Sequence, residues 1–521
     1  MPTSTRWNIV ANGAGRLWSV ASVLLFVPLY VKLLGAEAYG LVGFFASFQA
    51  ILMMIFDMGL GATLTRELAR LSADASHGKE ARDTVRTIES VYLGTVTALF
   101  IAIQVLASFY AAAWFKTEHL SGSTVVRSVR LMSIAIVLQL LAWLYLGGLN
   151  GLRRQVYGNV TLVGVGVARG LGSVIVLWAV APSIELFFVV QSAISAVQAF
   201  LMRRGVWRSI PPSAERPRFH GAILRRVWKY SVGIFGLSIA SAVLFQIDKL
   251  TLSRLLPLET LSYYTLAWSF ALVPYSILAS PFGQACLPRL IQLSEAGKEA
   301  ELARLYHRAS QALSCVLAPA SVVMFLYAGP LIRIWLRNAG IANKVHPLAA
   351  ILVLPMTIQG LLVLPYIAQL AHAWTRLAVA TNAVAVGLMV PLMIFMVRRY
   401  QGYGACVVWI MIELLYLGSV LGIMHRRVLK GEASRWLFGD VLRPFAAAWL
   451  AGYCASWALS HSIIQAPPIA VSIAVALVAM PAAVMSAPEV RREAQVRLSE
   501  ARVYVRSRQR QIIEALEVGK L

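Results

Sequence analysis

The chain has 521 residues, of which 59% are hydrophobic and only 13% are charged. Soluble domains average about 45–50% apolar and about 25% charged residues, so this composition excludes an ordinary soluble protein. A net charge of +24 can indicate nucleic-acid binding, but in a membrane protein it reflects Lys and Arg retained in cytoplasmic loops, and we expect no nucleic-acid partner.

Apolar runs follow one another along the whole chain, and about fourteen can be counted. Each is close to the roughly 20 residues that a helix needs to cross a bilayer. Long continuous runs predict α-helices rather than a barrel of short alternating strands, so the predicted fold is an all-α integral membrane protein. The predicted spans are 7–31, 40–64, 88–114, 131–149, 156–181, 184–202, 230–253, 262–287, 309–331, 346–371, 377–397, 403–424, 441–460 and 466–486.

Basic residues are distributed unequally between alternate connections. Connections after even-numbered spans hold about 25 Lys and Arg residues, whereas the others hold about 11. Because basic residues are retained on the cytoplasmic side, both termini are predicted to be cytoplasmic.

Two segments of the chain repeat one another. LLGAEAYG begins near residue 33, and after an apolar run comes RELARLSADASHGKEA; LLPLETLSYY begins near residue 255, and after another run comes PRLIQLSEAGKEA. The offset stays at about 220 residues, which is typical of a structural repeat. Copies six helices apart share one orientation, so we expect two parallel six-helix lobes; chance similarity between Leu- and Ala-rich segments is the alternative.

The repeat predicts five regions. They are an N-terminal lobe of helices 1–6 (1–205), a proline-containing cytoplasmic linker (206–229), a C-terminal lobe of helices 7–12 (230–425), helices 13 and 14 (426–487), and a basic cytoplasmic tail (488–521). The spacing of apolar residues in the tail favours an amphipathic helix on the membrane surface, and a partly disordered tail is the alternative.

Cations inside the apolar runs are candidate functional residues, because each costs roughly 2.5–3.5 kcal/mol to insert. In the first span Asn12 and Arg16 share one face, since four residues complete about one helical turn. Arg169 lies deep in the glycine-rich fifth span. Lys249 lies in the seventh, with Gln246 beside it.

Acids inside the apolar runs leave two interpretations open. Asp57, Asp248 and Glu413 could pair with the cations and hold the helices in register. Alternatively the cations line a wet cleft and bind phosphate, which guanidinium contacts through two parallel hydrogen bonds, and the acids bind a coupling proton or sodium ion.

Motifs of membrane-bound enzymes are missing from the sequence. It contains no GxxxxGK[ST] phosphate loop, no HExxH, no GxSxG and no Cys/His cluster. We therefore expect a protein without catalytic residues, metal or cofactor.

The N-terminal 70 residues resemble the opening of bacterial polysaccharide flippases of the Wzx type. The resemblance lies in a proline-containing first helix, the turn LGAEAYGL, and FDMGLG before a basic loop. The later segment FQIDKLTLSRLLPLETLSYYTLAW is similar to the seventh-helix region of the same family, which belongs to the multidrug/oligosaccharidyl-lipid/polysaccharide exporter superfamily.

The resemblance implies a fold and a function. It implies about 14 helices in the bacterial inner membrane, and flipping of undecaprenyl-diphosphate-linked oligosaccharide to the outer leaflet by alternating access. Membrane lipids and a polysaccharide polymerase would be its partners, and Arg16, Arg169 and Lys249 are the residues that could supply a cationic lumen. A drug/cation antiporter of the same superfamily and a membrane glycosyltransferase or polymerase stay open as alternatives.

Overall fold

The structure is a computed structural model that describes residues 5–56, 59–72, 77–213, 215–225, 244–461, 466–493 and 495. Nearly all of these residues are helical, and within them the only bridge between extended segments joins Lys116 and Pro257. The helices are α1 (Thr5–Leu34), α2 (Ala36–Phe56), α3 (Leu60–Leu71), α4 (Gly78–Trp114), α5 (Gly122–Gly151), α6 (Gln155–Ala179), α7 (Ile184–Ser209), α8 (Leu258–Ala271), α9 (Ser280–Glu295), α10 (Glu299–Leu326), α11 (Ala328–Leu336), α12 (Ala339–Leu361), α13 (Val363–Ala371), α14 (Arg376–Ser419), α15 (Arg443–Ser460) and α16 (Pro468–Ser486). Residues 244–255 are also helical, and π-helical turns occur at Tyr275–Ala279, Val420–Met424 and Arg435–Leu442.

Helices of membrane-spanning length dominate the described residues, and the predicted all-α membrane fold is confirmed. Ten helical stretches in this part of the chain are long and apolar enough to cross a bilayer. One of them, Arg376–Arg427, has 52 residues and includes two predicted spans, 377–397 and 403–424. Gln401 separates these spans with non-helical angles of φ 53° and ψ −135°. The total of about fourteen spans stays a prediction.

The predicted span 40–64 is not one helix. The helix α2 ends at Phe56, and α3 begins at Leu60 after Gly59, whose φ of 68° lies in the left-handed region that a helix interior does not adopt. In α3 the buried side chains include Leu64, Leu68 and Leu71, which recur every three or four residues. The segment RELARLSADASHGKEA, which follows the second predicted apolar run, therefore starts inside a separate short helix.

The chain divides into two compact units. The first contains Met1–Phe270, Ile332–Ala349 and Asn382–Ile412, and the second contains Ala271–Leu331, Ala350–Thr381 and Glu413–Leu521. The predicted lobe boundaries at residues 205, 229, 425 and 487 stay a prediction.

Small residues allow close helix packing in the first unit. A Cβ atom at Gly147 of α5 would lie 2.6 Å from the Gly61 carbonyl oxygen, and one at Gly151 would lie 2.4 Å from the Thr65 carbonyl oxygen. The Thr65 hydroxyl donates a hydrogen bond to the Gly147 carbonyl oxygen at 2.8 Å. Glycines four residues apart let two backbones meet without a hydrophobic driving force, as in other membrane helix pairs.

The two repeated turns contact one another inside the first unit. A Cβ atom at Gly40 would lie 2.2 Å from the Leu258 carbonyl oxygen, and one at Gly43 would lie 2.8 Å from the Thr265 side chain. The numbers of these paired residues differ by nearly the repeat offset. The two similar segments therefore touch each other across α2 and α8.

The start of the predicted linker is bound to α4. Arg218 donates its backbone N–H to the Asp83 carboxylate at 2.7 Å, and His220 Nε2 lies 3.2 Å from the other oxygen of that carboxylate. Arg82 Nε donates to the Pro211 carbonyl oxygen at 2.8 Å. These contacts fix a proline-containing segment whose backbone has few regular hydrogen bonds of its own.

The second unit is built around α10, which packs against both α15 and α16. A Cβ atom at Gly452 would lie 2.7 Å from Val322. Buried alanines fill the remainder of this seam: Ala318, Ala448, Ala479, Ala483 and Ala487. The start of the tail contacts α10, where the Glu489 backbone N–H donates to Gln311 Oε1 at 2.9 Å. From residue 496 onwards the predicted amphipathic tail lies outside the described residues.

Large apolar side chains are exposed along several helices. Phe109, Trp178 and Leu477 are 73%, 79% and 68% exposed. Patches of this kind are rare on soluble monomers but are expected where helices face lipid tails.

Candidate functional site

Arg169 is the centre of a polar network in the first unit. It lies on α6 and is partly buried. Its Nη2 donates to Gln198 Oε1 at 2.8 Å and to Ser195 Oγ at 3.2 Å, both on α7. Its Nη1 donates to Gln139 Oε1 on α5 at 3.2 Å. The guanidinium therefore joins three helices.

A second layer of amides and hydroxyls supports these contacts. Gln49 of α2 donates to the same Gln139 oxygen at 2.6 Å. On the α7 side, Gln191 Nε2 donates to Ser173 Oγ at 3.1 Å, and Ser195 Oγ donates to the Gln191 carbonyl oxygen at 2.6 Å. All of these partners are neutral, so they orient the guanidinium without cancelling its charge.

The network has donors that the described residues do not satisfy. Arg169 Nε and Gln139 Nε2 are both buried, and neither has a hydrogen-bond partner among the residues that the structure describes. In the same part of the chain, no ion pair includes Arg169. A buried donor without an acceptor is costly, so a cation with open donors favours an anionic ligand.

Glycine contacts place α1 beside this network. The Tyr30 hydroxyl donates to the Gly170 carbonyl oxygen at 3.4 Å. A Cβ atom at Gly170 would lie 2.1 Å from the Phe26 ring, and one at Gly166 would lie 2.8 Å from the Trp18 indole nitrogen. Two glycines of the fifth predicted span therefore lie in close contact with α1.

Three predicted site residues fall where the structure gives no side-chain description. The side chains of Asn12 and Arg16 lie outside the described residues, although the α1 backbone there is helical. Asp57 lies outside them entirely. Their assignment to the cationic cleft and to ion coupling stays a prediction.

Lys249 is paired with its sequence neighbour. Its Nζ lies 3.0 Å from Asp248 Oδ2 and 3.9 Å from the centre of the Trp268 ring. Asp248 is fully buried and also accepts hydrogen bonds from the Tyr264 hydroxyl at 2.8 Å and from Trp409 Nε1 at 3.1 Å. The charges of Lys249 and Asp248 therefore compensate each other.

The other two predicted site residues, Gln246 and Glu413, form no ion pair within the residues that the structure describes. Gln246 is partly buried and precedes Asp248 by two residues. Glu413 belongs to the second unit and is 2% exposed. No ion pair includes Glu413 within the described ranges. The roles predicted for Lys249, Asp248, Gln246 and Glu413 stay predictions.

Glu89 is a fully buried acid in the first unit that pairs with arginine. It is 1% exposed, accepts from Arg203 Nε at 2.7 Å, and accepts from the Tyr145 hydroxyl at 2.5 Å. Because Glu89 already has a cation, Arg203 and Arg169 differ in kind: one is neutralised by a carboxylate, and the other is held by neutral groups.

Sequence reasoning missed the neutral partners of Arg169. Gln191, Ser195 and Gln198 recur at spacings of four and three residues in an apolar run, which places them on one helix face. That spacing was an available signal. Gln139 is an isolated amide in an apolar run, and no pattern in the surrounding sequence marks it as a partner of Arg169.

Comparisons with known proteins extend this description. A model of the family described as polysaccharide biosynthesis protein matches residues 6–294, which is more than half of the chain. A protein of Shigella flexneri named "Putative O-antigen transporter" is 20% identical over 418 residues, covering 77% of this chain and 94% of that relative.

Solved structures share the fold. The lipid II flippase MurJ in an inward closed conformation has a TM-score of 0.68 at 14% identity, covering 91% of this chain and 98% of that one. An inward-facing multidrug resistance transporter of the MATE family, in the MOP superfamily, has a TM-score of 0.59 at 13% identity, covering 78% and 92%. At these identities the similarity shows a common fold.

Proposed function

Because the chain belongs to the polysaccharide biosynthesis protein family, we propose that it flips a polyprenyl-diphosphate-linked oligosaccharide from the inner to the outer leaflet. Membership of this family confirms the resemblance predicted from the N-terminal segment. The named relative from Shigella flexneri, an O-antigen transporter, supports a saccharide-bearing lipid as the substrate.

The observation that carries the proposal is the Arg169 network. A diphosphate offers several anionic oxygens, and guanidinium binds such groups through two parallel hydrogen bonds. The unsatisfied Nε of Arg169 and Nε2 of Gln139 supply two donors for these oxygens. Because the holding residues are neutral, the positive charge is available to the ligand.

Alternating access and ion coupling are further parts of the proposal. The substrate would reach Arg169 from one side of the membrane and leave on the other. Asp248 already accepts from Lys249, Tyr264 and Trp409, whereas Glu413 is a buried acid for which the described residues supply no ion pair. Of these two predicted coupling acids, Glu413 therefore fits a transported proton or sodium ion better.

A drug/cation antiporter shares the fold but fits the site less well. An organic cation needs a buried acid beside it, whereas the described hydrogen-bond partners of Arg169 are two neutral amides and a hydroxyl. An unneutralised Arg169 would repel such a substrate.

Reconstitution tests the proposal. The purified protein is placed in liposomes with a fluorescent polyprenyl-diphosphate disaccharide, and dithionite added outside reduces only the outer-leaflet label. We expect loss of fluorescence beyond the outer-leaflet fraction, and much slower loss with the same lipid lacking its diphosphate. Equal rates for both lipids would contradict recognition of the phosphate, and flipping no faster than in protein-free liposomes would contradict the function.

A further inference from the structure

A buried histidine in the second unit lies between two carboxylates. His307 of α10 is fully buried. Its Nδ1 lies 2.5 Å from Asp440 Oδ2, and its Nε2 lies 3.1 Å from Glu432 Oε2. Asp440 belongs to the π-helical segment Arg435–Leu442 and is fully buried, whereas the Glu432 side chain is 30% exposed. The three side chains are called the His307 triad below.

Other polar groups complete the surroundings of the triad. Gln311 Nε2 donates to the second Asp440 oxygen at 2.8 Å. Arg435 Nη1 lies 3.9 Å from Glu432, and its Nη2 lies 3.5 Å from Glu489 at the start of the tail. One guanidinium thus faces the triad on its exposed side.

Further titratable groups lie on adjacent turns. The Tyr306 ring packs edge-on against His307 with centres 5.4 Å apart, and its hydroxyl lies 3.2 Å from His425 Nε2. The Nδ1 of His425 lies 3.0 Å from the Val420 carbonyl oxygen. Arg308, next along α10, is paired with Glu493 at 3.1 Å. These groups have partners of their own, and the described hydrogen-bond partners of the His307 ring are Asp440 and Glu432.

Counting protons shows what the triad must contain. A neutral imidazole has one N–H and one lone pair, and an ionised carboxylate accepts but cannot donate. Two nitrogen–oxygen contacts at hydrogen-bond distance therefore require two protons, one in each contact. A neutral histidine and two carboxylates supply one. The second proton must be bound as an imidazolium or as a carboxylic acid.

We propose that the His307 triad is a binding site for one exchangeable proton, which enters through Glu432 and holds residues 432–442 against α10. When the proton leaves, a ring lone pair faces a carboxylate and one contact becomes repulsive. The fully buried Asp440 can then be left without a donor from the ring, so the segment loosens. The proposal concerns the second unit and does not depend on the identity of the transported lipid.

Histidine spectroscopy tests proton binding directly. The full chain in lipid nanodiscs carries ring-¹⁵N histidine, and the His307 signal is identified among eight histidines by its loss in His307→Gln. We expect this signal to change protonation or tautomer between about pH 5 and about pH 9. In Glu432→Gln the change should move to lower pH, because one charge that attracts the proton is gone. A signal that stays constant over this range, or titrates identically in Glu432→Gln, overturns the proposal.

Hydrogen–deuterium exchange tests the structural consequence. After correction for the intrinsic pH dependence of exchange, protection of residues 435–442 should fall by about tenfold above the transition, equivalent to about 1.4 kcal/mol. His307→Gln should remove this pH dependence, whereas His461→Gln, at an exposed position in the same unit, should preserve it. If His307→Gln does not fold, Glu432→Gln serves in its place, and in that variant the fall in protection should begin at lower pH than in the wild type. Protection that is independent of pH in the wild type contradicts the proposal.

Discussion

Replacing Arg169 by methionine should separate substrate binding from helix bracing. The change removes three hydrogen bonds, to Gln139, Ser195 and Gln198. Hydrogen bonds between membrane helices average about 0.6 kcal/mol each, so about 2 kcal/mol is lost. The same change removes a cation whose insertion costs roughly 2.5–3.5 kcal/mol. The two effects nearly cancel, and we expect folded protein at close to the wild-type amount.

Flipping should respond much more strongly than folding. A hydrogen bond to a charged group contributes about 1.5–3 kcal/mol, which predicts a flipping rate about 10- to 100-fold lower in Arg169→Met. Arg169→Lys should retain part of the rate, because the charge remains while the planar fork is lost. Melting temperature in detergent and the dithionite assay in liposomes are measured on the same preparations.

Arg203→Met is the matched control within the same unit. Its removal takes the closer of two arginines from the buried Glu89 and leaves only Arg86, at 3.5 Å; losing this hydrogen bond at a buried carboxylate costs about 1–3 kcal/mol, so folded protein should decrease. Wild-type flipping by a stable Arg169→Met variant would refute the assignment of Arg169 to substrate. A loss of folded protein equal to that of Arg203→Met would show that Arg169 braces helices instead.

Three further variants test the packing described above. Gly40→Ala should abolish folded protein or lower its melting temperature strongly, because the new Cβ would lie 2.2 Å from the Leu258 carbonyl oxygen, and fluorescence-detected gel filtration measures this. Gln401→Gly should raise the melting temperature, because the φ of 53° costs a non-glycine residue about 1–3 kcal/mol; an unchanged value would contradict strain there. Asp248→Asn leaves the buried Lys249 ammonium without its carboxylate, which costs about 3–5 kcal/mol of stability. Adding Lys249→Met should recover part of that lost stability.

The fold was predictable because its determinants are local. Continuous apolar runs predict membrane helices, and a charge within such a run, as at Arg169, is conspicuous in the sequence. The break at Gly59 was not predicted, since apolar residues continue across it and only the backbone conformation reveals it. Hydrophobicity sets how much chain is buried, but it does not specify where a helix stops.

The candidate site was only half predictable for a related reason. Arg169 was found by its charge, whereas Gln139 lies 30 residues away on another helix and carries none. The pairing of Lys249 with Asp248 depends on how Tyr264 and Trp409 surround the carboxylate. His307 lies within α10, Asp440 lies in the π-helical segment before α15, and 133 residues separate them, so only the folded chain brings them together.

The docking of the linker onto α4 has a consequence for how the chain can be cut or extended. Proline-containing, basic loops are normally the sites where proteases cleave and where inserted domains are tolerated. Here Arg218 lies in backbone contact with Asp83, and Pro211 accepts from Arg82, so this stretch must detach before it can enter a protease active site. Trypsin should therefore cut slowly at Arg218 despite its basic surroundings. A fluorescent protein inserted between Pro211 and Arg218 should disrupt the contacts of this stretch with α4, so the insertion should not be tolerated as it would be in a free loop.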